Sequence, residues 1–374
     1  MEVKPYKLID IFENYDYLRK PLSSMERESF QGDYPYYGAQ GVIDHVRDYI
    51  CDGEYMLIAE DGENLMSRNQ PIAFIVNGKF WVNNHAHIVK TNNLASMKYI
   101  CYLLNSSDIT GFITGSAQPK LSQANLNKIK VLLPSAEYQE QVASILSAYD
   151  NLIETNNMRI KVLEQMAENL YKEWFVRFRF PGHEFAEFEN GLPKGWRIES
   201  VKNTFEIFDT LRIPLSSLDR DKMQKIYPYY GAAEILDYVE EYLFDGIYLL
   251  LGEDGSVITP DGKPMLQYVW GKFWVNNHAH VLQGKKPFTT EYLYLQFKNT
   301  DISGIVTGSA QPKVSQGRLF RKKVIIPESG IVEQFNTFIT PVFNQIRVLA
   351  DQNHNLVKQR DLLLPRLMSG KLEV

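Results

Sequence analysis

Apolar and polar positions change rhythm abruptly along this chain. From Leu18 to Pro134, short β-favouring runs (Tyr55–Ala59, Ile72–Val76, Lys130–Leu133) alternate with Gly, Asn, Asp and Pro punctuation. That texture predicts a strand-rich domain with long loops. Met97–Asn105 and the later Thr290–Lys298 carry helical apolar spacing, so the expected class is α+β. Between Ala136 and about Arg177 there is no Gly or Pro, and helix formers take over. Here Ile153, Asn156, Ile160, Leu163, Ala167, Leu170 and Trp174 recur by threes and fours, a seam of coiled-coil type. About forty residues of helix make a rod of about 60 Å, too long for the interior of one small domain. A second helical run covers about Ile331 to Leu364, with Ile346, Leu349, Asn353, Leu356, Leu363 and Leu367 in its seam. Pro341 after Thr340 suits a first-position proline behind an N-cap, which predicts a break or kink there. Asn156 and Asn353 are lone polar seam residues, either solvated positions or devices that fix helix register.

The pattern also repeats. Gly78–His87 (Gly-Lys-Phe-Trp-Val-Asn-Asn-His-Ala-His) returns unchanged as Gly271–His280, an offset of 278 − 85 = 193 residues. Tyr34–Ala39 returns at Tyr227–Ala232, and Thr114–Lys120 (Thr-Gly-Ser-Ala-Gln-Pro-Lys) at Thr307–Lys313, both at that offset. Leu18–Ser24 returns with one change at Leu211–Ser217. A constant offset of this length means a duplicated domain rather than a solenoid, whose repeats are far shorter. Residues 1 to about 17 read as a lead-in to the first copy. The expected division is a first domain at 1–135, a first long helix at 136–180, a second domain at 181–328 and a second helix with the tail at 329–374. The two helices need each other as partners. Antiparallel pairing would place the domains about a pseudo-twofold axis, parallel pairing side by side, and both remain open on residue pattern alone.

A length of 374 residues suits two or three domains. No apolar run reaches membrane-spanning length, and the first residues lack signal-peptide character. Two cysteines, Cys51 and Cys101, both in the first copy, argue against a disulfide framework or structural zinc and suit a reducing cytoplasm. The net charge of −5 does not advertise nucleic-acid binding, but local basic patches decide that.

Among motifs with chemistry, His85/His87 and His278/His280 have the same-face spacing of a chelating strand pair. No further ligand cluster repeats beside them, so hydrogen bonding or surface contact is the reading and no metal is expected. Glu60-Asp61-Gly62 and Glu253-Asp254-Gly255 read as turns rather than catalytic carboxylate pairs. Phosphate-binding glycine loops, dinucleotide fingerprints and serine elbows are absent from the sequence. The chain therefore reads as a binder. Its contact candidates are polar and basic residues kept in both copies: Arg19, Lys20 and Arg212; Lys79 and Lys272; Asn83 and Asn276; Ser116, Gln118 and Lys120 with Ser309, Gln311 and Lys313. Ser and Gln can bond phosphate oxygens or base edges, and Lys neutralises phosphate. Arg68 joins them from Glu63–Gln70, which differs from its counterpart Ser256–Lys263, as does Met25–Asp33 from Leu218–Ile226. A common framework with variable loops can read two related targets.

These repeated blocks, with Leu170–Phe175 closing the first helix and Leu363–Lys371 near the end of the second, make the chain resemble the specificity subunit of type I restriction–modification systems over nearly its whole length. The resemblance implies two target recognition domains, each reading half of a split DNA site, and two antiparallel coiled-coil spacer helices. It further implies a non-catalytic subunit that holds no cofactor and docks two modification subunits. Those would carry S-adenosylmethionine, and restriction/translocase subunits would use ATP and Mg. The alternatives are an adaptor that binds no DNA, or a stand-alone DNA-modifying enzyme.

Overall fold

A computed structural model describes residues 2–308 and 310–372. The chain divides into two compact units, residues 1–155 with 353–374 and residues 156–352. Both boundaries fall inside a long helix, so each unit holds one strand-rich domain and half of each helix. This cuts across the four-part division expected from texture, because a helix half packs with the domain it touches rather than with its own other half.

The first unit contains β1 (Lys4–Lys7), β2 (Phe12–Asn14), β3 (Gln31–Gly38), β4 (Gly41–Val46), β5 (Cys51–Asp52), β6 (Tyr55–Ala59), β7 (Ala73–Val76), β8 (Lys79–Val82), β9 (Ala86–Thr91), helix α1 (Met97–Ser106) and β10 (Lys130–Leu133). One antiparallel sheet has the order β2-β9-β6-β7 and a second the order β4-β3-β8-β5, with β3 and β8 parallel. All five residues of β6 are buried, so it needs cover on both faces. Met56 and Ile58 face a core shared with Tyr99, Ile100 and Leu104 of α1, while Tyr55 and Leu57 face Phe80, Val82 and Ile88. The period-2 alternation of a strand thus splits one apolar run between two cores.

The lead-in is not a lead-in. β1 pairs antiparallel with β10, and Leu8 and Ile11 are fully buried. The second unit repeats this pairing 193 residues on (197 − 4), between Arg197–Ser200 and Lys323–Ile326. Lys-Pro-Tyr-Lys and Arg-Ile-Glu-Ser share no side-chain pattern, but a ladder of backbone hydrogen bonds demands none.

In the second unit a six-stranded sheet runs, in spatial order, Phe205–Ile207, Ala279–Gly284, Phe244–Gly252, Leu266–Val275, Tyr227–Tyr230, Ile235–Val239. Its two long central strands cover what β5 with β6 and β7 with β8 cover in the first unit. There Gly53 and Gly78, both at positive φ, interrupt the strands while still exchanging backbone hydrogen bonds of 3.0 and 3.1 Å. Helix α2 (Ala136–Tyr171) and helix α3 (Thr290–Lys298) precede the last element, helix α4 (Ser329–Met368). A wider helical turn, Lys172–Val176, closes α2.

Helix α4 runs unbroken through Pro341, so of the expected break or kink the break is not there. Proline removes one N–H and leaves the Thr337 carbonyl without its intrahelical donor, but Thr337 and Pro341 are exposed and water can serve that oxygen. Buried Phe335, Ile339 and Phe343 hold the helix on either side. Of the seam, Asn156, Ala167, Trp174, Ile346, Leu349, Asn353 and Leu367 are buried; Ile153, Ile160, Leu163, Leu170, Leu356 and Leu363 are half-buried.

Within the first unit the helix halves pair antiparallel. The Tyr138 hydroxyl lies 2.9 Å from the Leu367 carbonyl, and Asp150 Oδ1 lies 2.6 Å from Arg360 Nη1. Within the second, the Trp174 ring meets Phe335 at 5.4 Å. Among the described residues no helix is long and apolar enough to cross a membrane.

Candidate nucleic-acid interface

Each domain gathers charged residues where its central strands end. In the first, a short 3-10 turn (Asp16–Leu18) presents Asp16 and Arg19, β6 runs into Glu60, β9 contributes His87, and a returning loop brings Lys120. Arg19 pairs with Glu60 through Nη1 and lies 3.4 Å from Asp16 through Nη2. Lys120 Nζ is 3.0 Å from Glu60 Oε1. The buried His87 turns both ring nitrogens to oxygen acceptors, Nδ1 to Asp16 at 2.7 Å and Nε2 to the Leu121 carbonyl at 2.8 Å. The second domain rebuilds the box at the same offset: Arg212–Glu253 at 2.7 Å, His280–Asp209 at 2.5 Å, His280–Val314 carbonyl at 2.7 Å and Lys313–Glu253 at 3.5 Å.

Burial opposes the charge on Glu60, but hydrogen bonds from Arg19 and Lys120 outweigh it and hold the carboxyl below its ordinary range. Asp16 behaves alike, with burial overcome by the His87 hydrogen bond. Such depressed carboxyls contribute stability that is present above the ordinary carboxylate pKa and lost as pH falls through their lower folded values. Glu60→Gln should therefore destabilise the first unit by about 2 kcal/mol at neutral pH, since Arg19 and Lys120 lose the anion they share. The variant should also show a shallower loss of stability below about pH 4 than the parent. Urea unfolding followed across that pH range checks both, and parallel acid limbs would remove Glu60 from the linkage.

The box anchors the Thr114–Lys120 loop. Thr114 and Lys120 exchange backbone hydrogen bonds of 2.9 and 2.7 Å, and Gly62 N donates to the Pro119 carbonyl at 3.1 Å. Gly115 has φ +87°, and a Cβ there would meet the Gln118 carbonyl oxygen at 2.4 Å, so only glycine closes this turn. Gly308 repeats this with φ +83°. Ser116 and Gln118 stand exposed at the tip, as does Gln311, with exposed Lys120 and Lys313 at the base of each loop, while Ser309 lies outside the described residues.

The other contact candidates disperse. Asn83 and Asn276 are buried, each side-chain oxygen accepting the N–H of the histidine two residues on at 2.8 Å, so neither reaches the surface. Arg19 and Arg212 are spent on the box. Arg68, at φ +53°, folds its guanidinium onto the Leu104 and Ser107 carbonyls at the end of α1. Lys79 and Lys272 are exposed, each 4.5 Å over a tyrosine ring, Tyr49 and Tyr242, and Lys20 lies 5.8 Å over Trp81. The Glu60 and Glu253 turns carry the central anion of each box, a role that motif reading missed. The repeated Asp16 and Asp209 were the available signal.

Asp209, Glu253 and His280 place ligand-type atoms within 4.8 Å of one another. The cluster is a poor fit for a metal ion: Arg212 already sits among its carboxylates, and both His280 nitrogens are engaged.

The geometry defines a class first. It is a duplicated scaffold that presents exposed loops on an ion-paired frame, with variable segments beside them. The family follows from comparison. A family model for the type I restriction modification DNA specificity domain matches residues 1–165 and again 193–359, and the chain belongs to that family, a non-catalytic one, with one domain per repeat. It is similar to the MjaIX specificity subunit of Methanocaldococcus jannaschii, 24% identical over 94% of this chain and 90% of that protein. A putative MjaX specificity subunit of the same organism is 33% identical over 290 residues, 74% of this chain and 68% of its own. The crystal structure of a type I restriction-modification S subunit from M. genitalium shares the fold, with TM-score 0.63 at 12% identity, covering 98% and 96% of the two chains. The chain is a type I restriction–modification specificity subunit.

Proposed function

We propose that each strand-rich domain reads one half of a bipartite site on double-stranded DNA, and that the paired helices set the distance between halves. In this reading the subunit works in the cytoplasm and docks two modification subunits, which carry S-adenosylmethionine. Restriction/translocase subunits bring ATP and Mg to the full complex, and this chain holds no cofactor of its own.

One observation carries the reading: identical frames bear different neighbours. Gly62 and Gly255 lock the tip loops in the same way, through hydrogen bonds of 3.1 and 3.0 Å to Pro119 and Pro312. Directly beyond them, the first domain forms a helical turn (Asn64–Ser67), while the second forms a tight turn closed by Thr259 and Lys263 at 2.8 Å. Phosphates are alike in both half-sites and suit the shared parts, whereas base edges differ and suit the variable ones. Lys20, Lys79, Lys272, Ser116, Gln118 and Gln311, with the half-exposed Lys120 and Lys313, are the donors this reading assigns to the backbone.

A salt-dependent DNA gel shift, with and without the modification partner, tests this. Binding in the presence of the partner that weakens steeply with salt is expected. No affinity in either condition would make the chain an adaptor, and modification by the chain alone would make it an enzyme.

A further inference from the structure

The exposed member of each His-x-His pair has no part in the box, and its presentation is built with care. His85 Nδ1 faces both oxygens of Asp61 at 2.9 Å, and His278 Nδ1 pairs with Asp254. The two side chains are 47% and 46% exposed, with Nδ1 of each ring turned to its aspartate. Backbone bonds fix the turn that carries them. His85 N donates to Asn83 Oδ1 at 2.8 Å, and its carbonyl accepts from Glu60 N at 2.8 Å; His278, Asn276 and Glu253 repeat both distances. The buried asparagines thus serve the histidines.

We infer that His85 and His278 are contacts for the DNA phosphate backbone, one in each half-site, each donating from Nε2. The inference rests on the DNA-reading role proposed above. A residue kept in the same place and pose in both domains cannot distinguish two different half-sites, but it can hold the phosphates that all sites share. The ring also lies beside the reading edge: Asp61 bridges to Lys120 at the base of the tip loop, and the variable segment begins right after Gly62.

The chemistry sets a condition. Nδ1 donates to the aspartate, so a neutral ring leaves only a lone pair at Nε2. Donating there to a phosphate oxygen requires the imidazolium. The charges around the ring are Asp61, Glu60, Lys120 and Arg19, whose Nη1 lies 3.4 Å from the Asn84 carbonyl. Around His278 they are Asp254, Glu253, Arg212 and Lys313, whose Nζ is 4.0 Å from Asp254.

The test uses the complex of this chain with its modification partner and measures DNA affinity by fluorescence anisotropy at about pH 6 and about pH 8, the interval over which an ordinary imidazole changes charge. The parent complex should bind more tightly at the lower pH. His85→Gln and His278→Gln should each lower affinity about tenfold there, flatten the pH dependence and reduce the salt slope by about one. His85→Arg, a permanent cation, should restore affinity and remove that histidine's share of the pH dependence. A neutral methylphosphonate at the contacted phosphate should abolish the effect of His85→Gln. No binding by the parent complex would overturn the DNA-reading role itself. Parent binding with unchanged variants would overturn this inference alone. Variants that assemble poorly with the partner but bind DNA normally once assembled would assign the histidines to a protein surface and overturn it as well.

Discussion

Truncating Phe335 to alanine is expected to cost the second unit about 3–5 kcal/mol, the largest single-residue loss among the substitutions considered. Its ring is fully buried and meets Tyr171 at 6.1 Å, Trp174 at 5.4 Å, Phe175 at 4.9 Å and Tyr292 at 6.0 Å. Those partners come from the end of α2, the turn after it and α3, so one side chain fastens both helices to the domain. Rigid neighbours on every side cannot collapse into the space a benzyl group leaves, which puts the loss in the upper part of the usual range. Phe338 supplies the control. It lies one turn on, is 53% exposed and among the described residues meets one ring, Trp174, at 6.0 Å, so Phe338→Ala should change stability by about 0.5 kcal/mol or less. Urea unfolding of the two variants side by side decides the matter. Equal losses would mean that the aromatic cluster does not fasten the helices.

Much of the frame was legible because backbone demands and side-chain demands agreed. The run Tyr55–Ala59 became a strand with those bounds, and Thr290–Lys298 a helix, because apolar pattern, propensity and punctuation coincided. Legibility failed where one demand acted alone. β1 and its counterpart share a backbone ladder, and no side-chain repeat announced them. Pro341 carried a strong local signal against helix, but buried aromatic residues on the same helix overrode it. The candidate site divided along the same line. Exposure of Ser116 and Gln118 followed from a glycine-proline loop, but Asn83 and Arg19 looked like surface donors because sequence lists polar groups without saying which are already satisfied. A polar residue repeated in both copies marked importance correctly and its duty wrongly: the asparagine holds a turn, the arginine neutralises a carboxylate, and the neighbouring His85 is the group left outward.

Removing one heptad from the middle of α2 together with one from the middle of α4 is expected to shift or abolish recognition of the native site while leaving both domains folded. Seven residues are nearly two whole helical turns, so the apolar seam realigns within about 20°. The strands of both domains lie outside the deleted segments, so far-ultraviolet circular dichroism should change mainly by the lost helix, while the loss of Ile346 and of the Arg347–Glu291 pair from the α4 segment lowers the stability of the second unit. The length, however, shortens by about 10 Å, which corresponds to about three base pairs of DNA. Three base pairs also turn the duplex through about three-tenths of its roughly ten-pair repeat, so the second half-site presents a different face. Helices that set the spacing therefore permit two outcomes: affinity for the native site falls at least about a hundredfold, or recognition moves to sites whose unread spacer is about three pairs shorter. Mapping methylated sites in cells that carry the shortened subunit and its modification partner separates these. Deleting the heptad from one helix only should misalign the seam and lower stability as well, since buried Leu349 and Ile346 would then face the wrong turn of their partner. A methylation map with the native spacer unchanged after the double deletion would mean that something other than the helices holds the half-sites apart.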